Sequence, residues 1–408
     1  MFDPTSVVVG LEVGTSKICA VVADVTREGG FTVLGLGQAE SRGVRKGEIV
    51  NPAELPELIR QALDQAEQMA DVEIRSVWLG VTGAHMAAIH NRGKHLIASD
   101  DRSITEDDVQ DAIRVAKTLN LQPHTYPLHL IRQQFLVDDQ PGIDNPVGLV
   151  GNSVEADVLV VHGNFNRLQT STKAVKSVPI DVEDVAFTGL ASQLAVLSPE
   201  QKEIGSLVID LGGGITEFTV TSGGIVRHAG VLAVGGDHVS QDIAIGLKVS
   251  LPLAEKLKIE HGSALVDDSI RGTLITLPSD NGLPGKTINL EHLRRIQNCR
   301  LEETLEIIAE RLEEAQMFDF VHGGCVLCGG GAHTHQITRL AERILQMPVQ
   351  IGRIQCVTGI PESLDQPEFA AAIGLAKYGS FRVQKDLSKT GRWNLKRALG
   401  ELFGRTPS

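Results

Sequence analysis

Apolar and polar residues alternate along this chain in two rhythms. Residues 7–11 (VVVGL) and 18–23 (ICAVVA) are short greasy runs joined across Gly14 and Thr15, which predicts a hairpin of buried strands, and residues 31–40 suggest a third strand. Over 52–70 the apolar positions Leu55, Leu58, Ile59, Ala62, Leu63 and Ala66 recur at close to helical spacing, which predicts an amphipathic helix. The texture changes over 84–162. Short strand-like runs there flank ITEDDVQDAIRVAKTL, whose Thr105 and Asp108 have the spacing of a capping box, and the turn-rich DDQPGIDNPVGLVGN follows. This stretch reads as an inserted subdomain. A strand-to-helix pattern resumes over 167–197, and LVIDL at 207–211 leads through Gly212, Gly213 and Gly214 into a predicted hairpin, 216–232. A polar loop is expected over 266–289 and a long helix over 291–316. The run CVLCGGGAHTHQITRLAERIL, 325–345, predicts a strand passing through glycines directly into a helix, and residues 380–391 are polar and break the globular pattern.

Three greasy runs thus end in glycine, at 12–17, 210–216 and 329–331. Glycine lets backbone approach a ligand closely, and successive N–H groups in such turns make anion-binding concavities. A helix directly after the third run would add a positive dipole end. The first two runs carry an acid just before the turn, Glu12 and Asp210, and in both the first glycine, Gly14 or Gly212, follows two residues later. The match suggests two related halves. A carboxylate beside a phosphate is repulsive unless a divalent cation lies between them, so Glu12 and Asp210 point to Mg²⁺ held partly through water. No GxxxxGK[ST] is present, and the glycines at 212–214 open a hairpin rather than a helix, so neither a Walker loop nor a Rossmann fingerprint applies. Two facing hairpins with acids at their ends suit a nucleotide clamped between two lobes. Plainer readings stand beside this one. Gly212, Gly213 and Gly214 also fit an ordinary turn, Lys17 a solvated lysine, and Glu255 with Lys258 an i,i+3 surface pair rather than two groups facing a ribose. Cys325 and Cys328 form a CxxC near His333 and His335, but residues three apart on a strand point to opposite faces, so buried strand cysteines are expected rather than zinc ligands.

Composition narrows the class. The 408 residues suggest roughly two to four domains. A 42% apolar fraction and 42 glycines suit a globular α/β protein, and the net charge of −13 speaks against nucleic acid as a partner. Five cysteines make no disulfide framework. MFDPTS lacks the features of a signal peptide, and no run of eighteen apolar residues exists, so a cytoplasmic, soluble chain is expected, with one exception at its C-terminal end.

The three glycine runs, in this order, resemble those of the actin-like ATPases. Within that group the chain is similar to the FtsA family of bacterial cell division proteins, through GLEVGTSK (10–17), GAHMAAIHNRG (83–93), ITEDDV (104–109), GIDNPVGLVG (142–151), FTGLAS (187–192), DIAIGL (242–247), AEKLKIEHG (254–262) and AAIGLAKYG (371–379). The resemblance implies an α/β, actin-like (ribonuclease H-like) two-lobed ATPase fold. Residues 1–83 and 163–203 would form the first lobe, 84–162 the FtsA-type insertion, 204–242 and 323–380 the second-lobe core, and 243–322 its outer subdomain. It also implies ATP and Mg²⁺ as cofactors. Gly14, Thr15, Ser16, Lys17, Gly212, Gly213, Gly214 and Thr216 would belong to the phosphate loops. Gly235 and Gly236 would approach the ribose and phosphates, Glu255 and Lys258 would flank ribose and adenine, and Gly330, Gly331 and Ala332 would lie under the adenosine. Glu12 stands where relatives have an aspartate, no residue presents itself as positioning a hydrolytic water, and slow or absent turnover is expected. Implied partners are the tubulin-like protein FtsZ, further copies of the chain and other division proteins. A soluble kinase or chaperone ATPase, or a scaffold of type IV pilus assembly, are the alternatives on the same fold.

After an expected linker, 381–392, the end of the chain carries Leu395, Ala398, Leu399, Leu402 and Phe403 on one helical face, with Lys396, Arg397 and Glu401 off it and Trp393 just ahead. From Ser380 onward seven Lys/Arg face two acids, a net of +5. Such a segment suits either a membrane interface or docking on its own domain. The resemblance implies the first: a peripheral anchor on the anionic cytoplasmic face of the inner membrane, at the division site, through Trp393, Leu395, Lys396, Leu399, Leu402 and Phe403.

Overall fold

The computed structural model describes residues 6–26, 28–118, 123–277, 279, 285–357 and 360–389. The predicted first hairpin is β1 (Val7–Val13) with β2 (Lys17–Val25), placing Glu12 opposite Cys19, and β3 (Phe31–Glu40) extends it antiparallel. A two-residue pair, β4 (Val44–Arg45) and β5 (Glu48–Ile49), precedes α1 (Leu55–Ala70). Helix α1 buries Leu55, Ile59, Ala62, Leu63, Ala66 and Ala70, which share one face, and stops where Asp71 takes a left-handed φ of 53°. It lies tight on β3: a Cβ on Gly37 would fall 1.9 Å from the Ala62 carbonyl oxygen. Strand β6 (Ser76–Val81) pairs in parallel with β1.

The inserted unit follows. It comprises β7 (Ala87–Leu96), α2 (Glu106–Lys117), β8 (Thr125–Val137), β9 (Gln140–Ile143) and β10 (Ser153–Asn164), in the sheet order β7-β10-β8-β9. Helix α2 begins at the predicted capping box: Asp108 N–H donates to Thr105 Oγ1 at 3.3 Å, and Thr105 N–H donates to the Asp108 carboxylate at 2.8 Å. The chain returns through α3 (Phe165–Val175), β11 (Asp181–Phe187) and α4 (Thr188–Val196), a helix, strand and helix where the pattern alone predicts strand then helix. Helix α5 (Pro199–Ile204) leads to the second lobe.

That lobe repeats the first. Strands β12 (Ser206–Leu211), β13 (Thr216–Ser222) and β14 (Ile225–Leu232) form an antiparallel meander. Helices α6 (Gly236–Leu247) and α7 (Leu251–His261), the pair β15 (Leu274–Leu277) and β16 (Lys286–Asn289), and α8 (Leu290–Glu314) make the outer part. Then come β17 (Cys325–Cys328), α9 (Ile337–Leu345), β18 (Val349–Ile351) and α10 (Ala370–Lys389). The two five-stranded sheets have one topology: β3-β2-β1-β6-β11 and β14-β13-β12-β17-β18, each a meander whose first strand continues in parallel into two more. The two related halves suggested by Glu12 and Asp210 are therefore real.

Three expectations need correction. The stretch 266–289 contains a hairpin, because Leu277 and Ile288 alternate inward and are buried against α6 and α8. The third glycine run does not enter a helix directly. Gly330–His333 form one 3₁₀ turn, and α9 starts only at Ile337, after Gln336 with a φ of 61°. Glycine is a poor helix former, by about 1 kcal/mol each against alanine, and Gly329 itself has a φ of 79°. The polar stretch expected as a linker from 381 continues α10 as far as Lys389. It holds no proline, and its first glycine is Gly391.

Helices α4 and α10 lie between the sheets, and every residue of α4 is buried. One core cluster draws on both lobes, with Cys19 and Val21 of β2, Val208 of β12, Val326 of β17, and Ala372, Ile373 and Ala376 of α10. Among the described residues, no helix is long and apolar enough to cross a membrane. Helix α10 touches α4 backbone to backbone: a Cβ on Gly374 would fall 1.8 Å from the Ala191 carbonyl oxygen. Gly374→Ala should therefore destabilise the fold by about 1–3 kcal/mol through overpacking. An unchanged melting midpoint would contradict this packing.

Candidate functional site

The ends of β1 and β12 meet across the gap between the lobes. Glu12, Gly14, Thr15, Ser16 and Lys17 from one side and Asp210, Gly212, Gly213 and Gly214 from the other line one cavity of about 60 Å³. The loops touch. A Cβ on Gly213 would lie 3.1 Å from Ser16 Cβ, and one on Gly214 would lie 2.6 Å from Thr15 Oγ1. Only bare backbone fits there. Thr15 Oγ1 accepts from Gly47 N–H at 2.9 Å, which fixes its hydroxyl.

A second cavity of about 510 Å³ continues from it and shares Ser16, Lys17, Gly212 and Gly213. Thr216, Gly235, Gly236, Glu255, Lys258, Gly330 and Gly331 also line it. The structure thus gathers nearly all the candidate binding residues in one cleft. Ala332 is the exception: it is buried in the core beneath the loop and lines neither cavity. Thr216 is buried and donates its hydroxyl to the Val234 carbonyl at 2.9 Å, holding the loop into α6. Gly236 N–H and Asp237 N–H donate to the carbonyls of Gly212 and Gly213 at 3.0 and 2.8 Å, so the start of α6 is fastened to the second glycine loop. Lys258 Nζ lies 2.7 Å from Glu255 and 3.2 Å from the Gly236 carbonyl oxygen. This pair faces the cleft. Cys325 and Cys328 are both buried in β17, as strand cysteines. His333 pairs with Glu368, and His335 Nδ1 lies 3.4 Å from Ser263 Oγ.

Two carboxylates at the bottom of the cleft are buried. Burial pushes Glu12 up to about 7, opposed by Lys17 and reinforced by Asp210. Burial also pushes Asp210 up, while Ser192 Oγ, donating at 2.6 Å, and Lys17 pull it down. Glu12 Oε2 is buried with no hydrogen-bond partner. Lys17 donates to the Glu368 carbonyl at 2.6 Å and lies 5.7 Å from the centroid of the Phe369 ring. Among the described residues, no three or more His, Cys, Asp or Glu side chains converge as a metal cage. A cation at Glu12 and Asp210 would take its other ligands from water or a bound anion, which suits Mg²⁺.

A third acid, Glu217, escapes sequence reasoning. It projects from β13 of the second lobe and accepts from two hydroxyls of the first: Thr82 at 2.6 Å, and Thr188 at 2.7 and 2.9 Å. Burial and the neighbouring Asp210 hold its carboxyl above the ordinary range. The available signal is an acid inside the strand-like TEFTVTS, facing threonines that directly follow or end greasy runs. The positions Trp393, Leu395, Lys396, Leu399, Leu402 and Phe403 lie outside the described residues.

Comparison with known proteins bears on this architecture. The PilM–PilN type IV pilus biogenesis complex has a TM-score of 0.65 and 17% identity, covering 91% of this chain and 98% of that one. MreB5 of Spiroplasma citri bound to AMPPNP has a TM-score of 0.57 and 14% identity, covering 95% and 100%. At such identities the likeness speaks for the fold alone. The family model for cell division protein FtsA matches residues 207–374, and that for the SHS2 domain inserted in FtsA matches 83–162. The cell division protein FtsA of Pseudomonas aeruginosa is 32% identical over 372 residues, 91% of this chain and 89% of the relative. The one of Borreliella burgdorferi is 34% identical over 375 residues, 91% of each. Fold and site together define an actin-like protein with a two-lobed cleft. The insertion and the relatives narrow this further. The chain belongs to the FtsA family of cell division proteins.

The buried acid makes a pH prediction. Because Glu12 holds its proton more tightly folded than unfolded, its contribution to stability is fully present below its ordinary 4.5 and is lost as pH rises through about 7. In metal-free buffer, Glu12→Gln should melt with the parent near pH 4.5, increasingly above it as pH rises from 4.5 to about 7, and by a constant margin at higher pH. A difference that does not depend on pH rules out a high Glu12 pKa.

Proposed function

We propose that this chain binds ATP with Mg²⁺, polymerises with its own copies and tethers FtsZ to the cytoplasmic face of the bacterial inner membrane, where further division proteins are recruited. The observation that carries the nucleotide half is the convergence of glycine loops from both lobes on one cleft, with Glu12 and Asp210 at its floor. The orphaned Glu12 Oε2 fits a cation, since a buried acceptor without a donor is otherwise costly. In this reading Thr15, Ser16 and Lys17 hold phosphates from one lobe, and the backbone of Gly212, Gly213 and Gly214 holds them from the other. Glu255 and Lys258 face the ribose, and the Gly330–Gly331 backbone faces the adenosine. Glu12 and Asp210 hold Mg²⁺, which neutralises phosphate charge next to the two acids. The nucleotide acts chiefly as a switch for assembly, with at most slow hydrolysis.

Membrane attachment rests on the sequence of residues 393–408. Only two to three helical turns there are greasy, so one copy binds weakly, and polymerisation multiplies the attachment through avidity. A soluble kinase or chaperone ATPase leaves that basic, amphipathic tail without a role.

The test uses anionic liposomes. The full chain and a version ending at Lys389, which leaves α10 whole, are sedimented with FtsZ, with and without ATP and Mg²⁺. The full chain should pellet and carry FtsZ with it, more so with nucleotide, and the shortened one should stay in solution. Leu399→Glu should behave like the shortened chain while still binding ATP, and Lys17→Ala should weaken ATP binding about tenfold or more, the scale of a lost charge-assisted contact. Equal pelleting of the full and shortened chains sinks the anchor, and an unaltered ATP affinity in Lys17→Ala sinks its phosphate role.

A further inference from the structure

The larger cavity ends in a wedge between α7 and α8. Arg294, Gln297, Leu301 and Thr304, spaced i, i+3, i+7 and i+10, present one face of α8 to it, opposite Glu255 and Lys258 of α7. Gln297 is out of character there. It is only 2% exposed, in a buried stripe of α8 that includes Leu290, Leu293, Leu305 and Ile308, and its Oε1 has no hydrogen-bond partner. A buried amide oxygen without a donor loses its water and regains nothing, so such a residue calls for a further partner.

The surroundings say which end of the amide faces the cavity. A Cβ on Gly262 would fall 2.0 Å from Gln297 Oε1 and 2.2 Å from the Lys258 carbonyl oxygen, so two acceptors crowd one point. A half-turn about the last, soft torsion of Gln297 would turn Nε2 toward that carbonyl instead. The carbonyl already accepts from Gly262 N–H at 3.1 Å, and its second lone pair suits another donor. In that rotamer Oε1 would be directed into the wedge as an acceptor with a set orientation. Of the cationic donors in the wedge, Arg294 is turned to the His261 carbonyl at 3.1 Å and to Asp267 at 3.5 Å, and Lys258 to Glu255 at 2.7 Å and the Gly236 carbonyl at 3.2 Å.

We infer that Gln297 is the base-reading residue of the cleft: it accepts a hydrogen bond from the exocyclic amine of a purine and so selects adenine over guanine. This rests on the nucleotide reading above. Guanine carries a carbonyl oxygen where adenine carries the amine, which would set two acceptors against each other in a dry pocket. Side-chain reading of a base edge of this kind discriminates by about ten- to a hundredfold.

The experiment is equilibrium competition against a ribose-labelled fluorescent ATP, using the full chain with Mg²⁺. The competitors are ATP, GTP and purine riboside triphosphate, which is ATP without its amine. The parent should bind ATP about tenfold or more tightly than either of the others. In Gln297→Leu, ATP should weaken to the level of purine riboside triphosphate, whose own binding should hardly change. If the parent binds ATP and purine riboside triphosphate alike, or if Gln297→Leu keeps the preference for ATP over GTP, the assignment is overturned while the nucleotide reading stands. If none of the three competes, the nucleotide reading falls and takes the assignment with it. Should Gln297→Leu fail to fold, the ligand series on the parent decides alone.

Discussion

Two carboxylates buried at the ends of paired strands set the terms for the rest of the molecule. Glu12 and Asp210 both lie in the cleft floor, both are pushed toward the protonated form by burial, and the charge of Asp210 raises Glu12 further. The nearest lysine, Lys17, spends its short hydrogen bond on the Glu368 carbonyl. Everything around the acids follows from keeping them there. Gly213 and Gly214 leave room for the opposite loop, and a Cβ on Gly14 or Gly212 would collide with the carbonyl of Lys17 or Ile215 in its own loop. Ser192 reaches in from α4 to hold Asp210, and Cys328 of β17 sits beside it in register.

The repeated sheet topology explains why one acid pattern occurs twice, and the lobes differ in what is added to that common plan. The first lobe carries the inserted sheet and α2, and the second carries α6, α7 and α8. The insertion also reaches the second lobe. Gln133 Nε2 donates to the Val226 carbonyl at 2.8 Å, and the His90 ring lies 3.1 Å from the Arg227 carbonyl. With Glu217 bridging to Thr82 and Thr188, the lobes are joined by polar contacts that a rotation of one against the other would break, in addition to the apolar packing of α4 and α10.

Much of this was legible in the chain. The hairpins, the helix at 55–70, the capping box at Thr105 and the acid-glycine pairs are local signals, carried by spacing and by turn chemistry. What stayed hidden depends on tertiary contact. Glu217 looks like any polar residue in a strand until two threonines from the other lobe meet it. Gln297 looks like the polar side of a helix, because nothing in QNCRLEETLEI marks which face α7 will cover. The hairpin at 274–289 is short and set among polar residues, and only its packing on α6 and α8 distinguishes it from a loop. Ala332 follows Gly330 and Gly331 in the motif, yet within the 3₁₀ turn it is buried in the core.

Helix α10 has a geometrical consequence. Its first residue, Ala370, follows directly on the loop that carries Glu368, where Lys17 of one lobe and His333 of the other both attach. From there it runs 20 residues without a break, about 30 Å. The cleft and the far end at Lys389 therefore share one rigid axis, and the azimuth at which the chain departs is keyed to the cleft. Adding or removing a single residue along the outer turns would swing that departure by about 100° while leaving every cleft residue in place. Helix α10 thus sets an angular register between the cleft and Lys389.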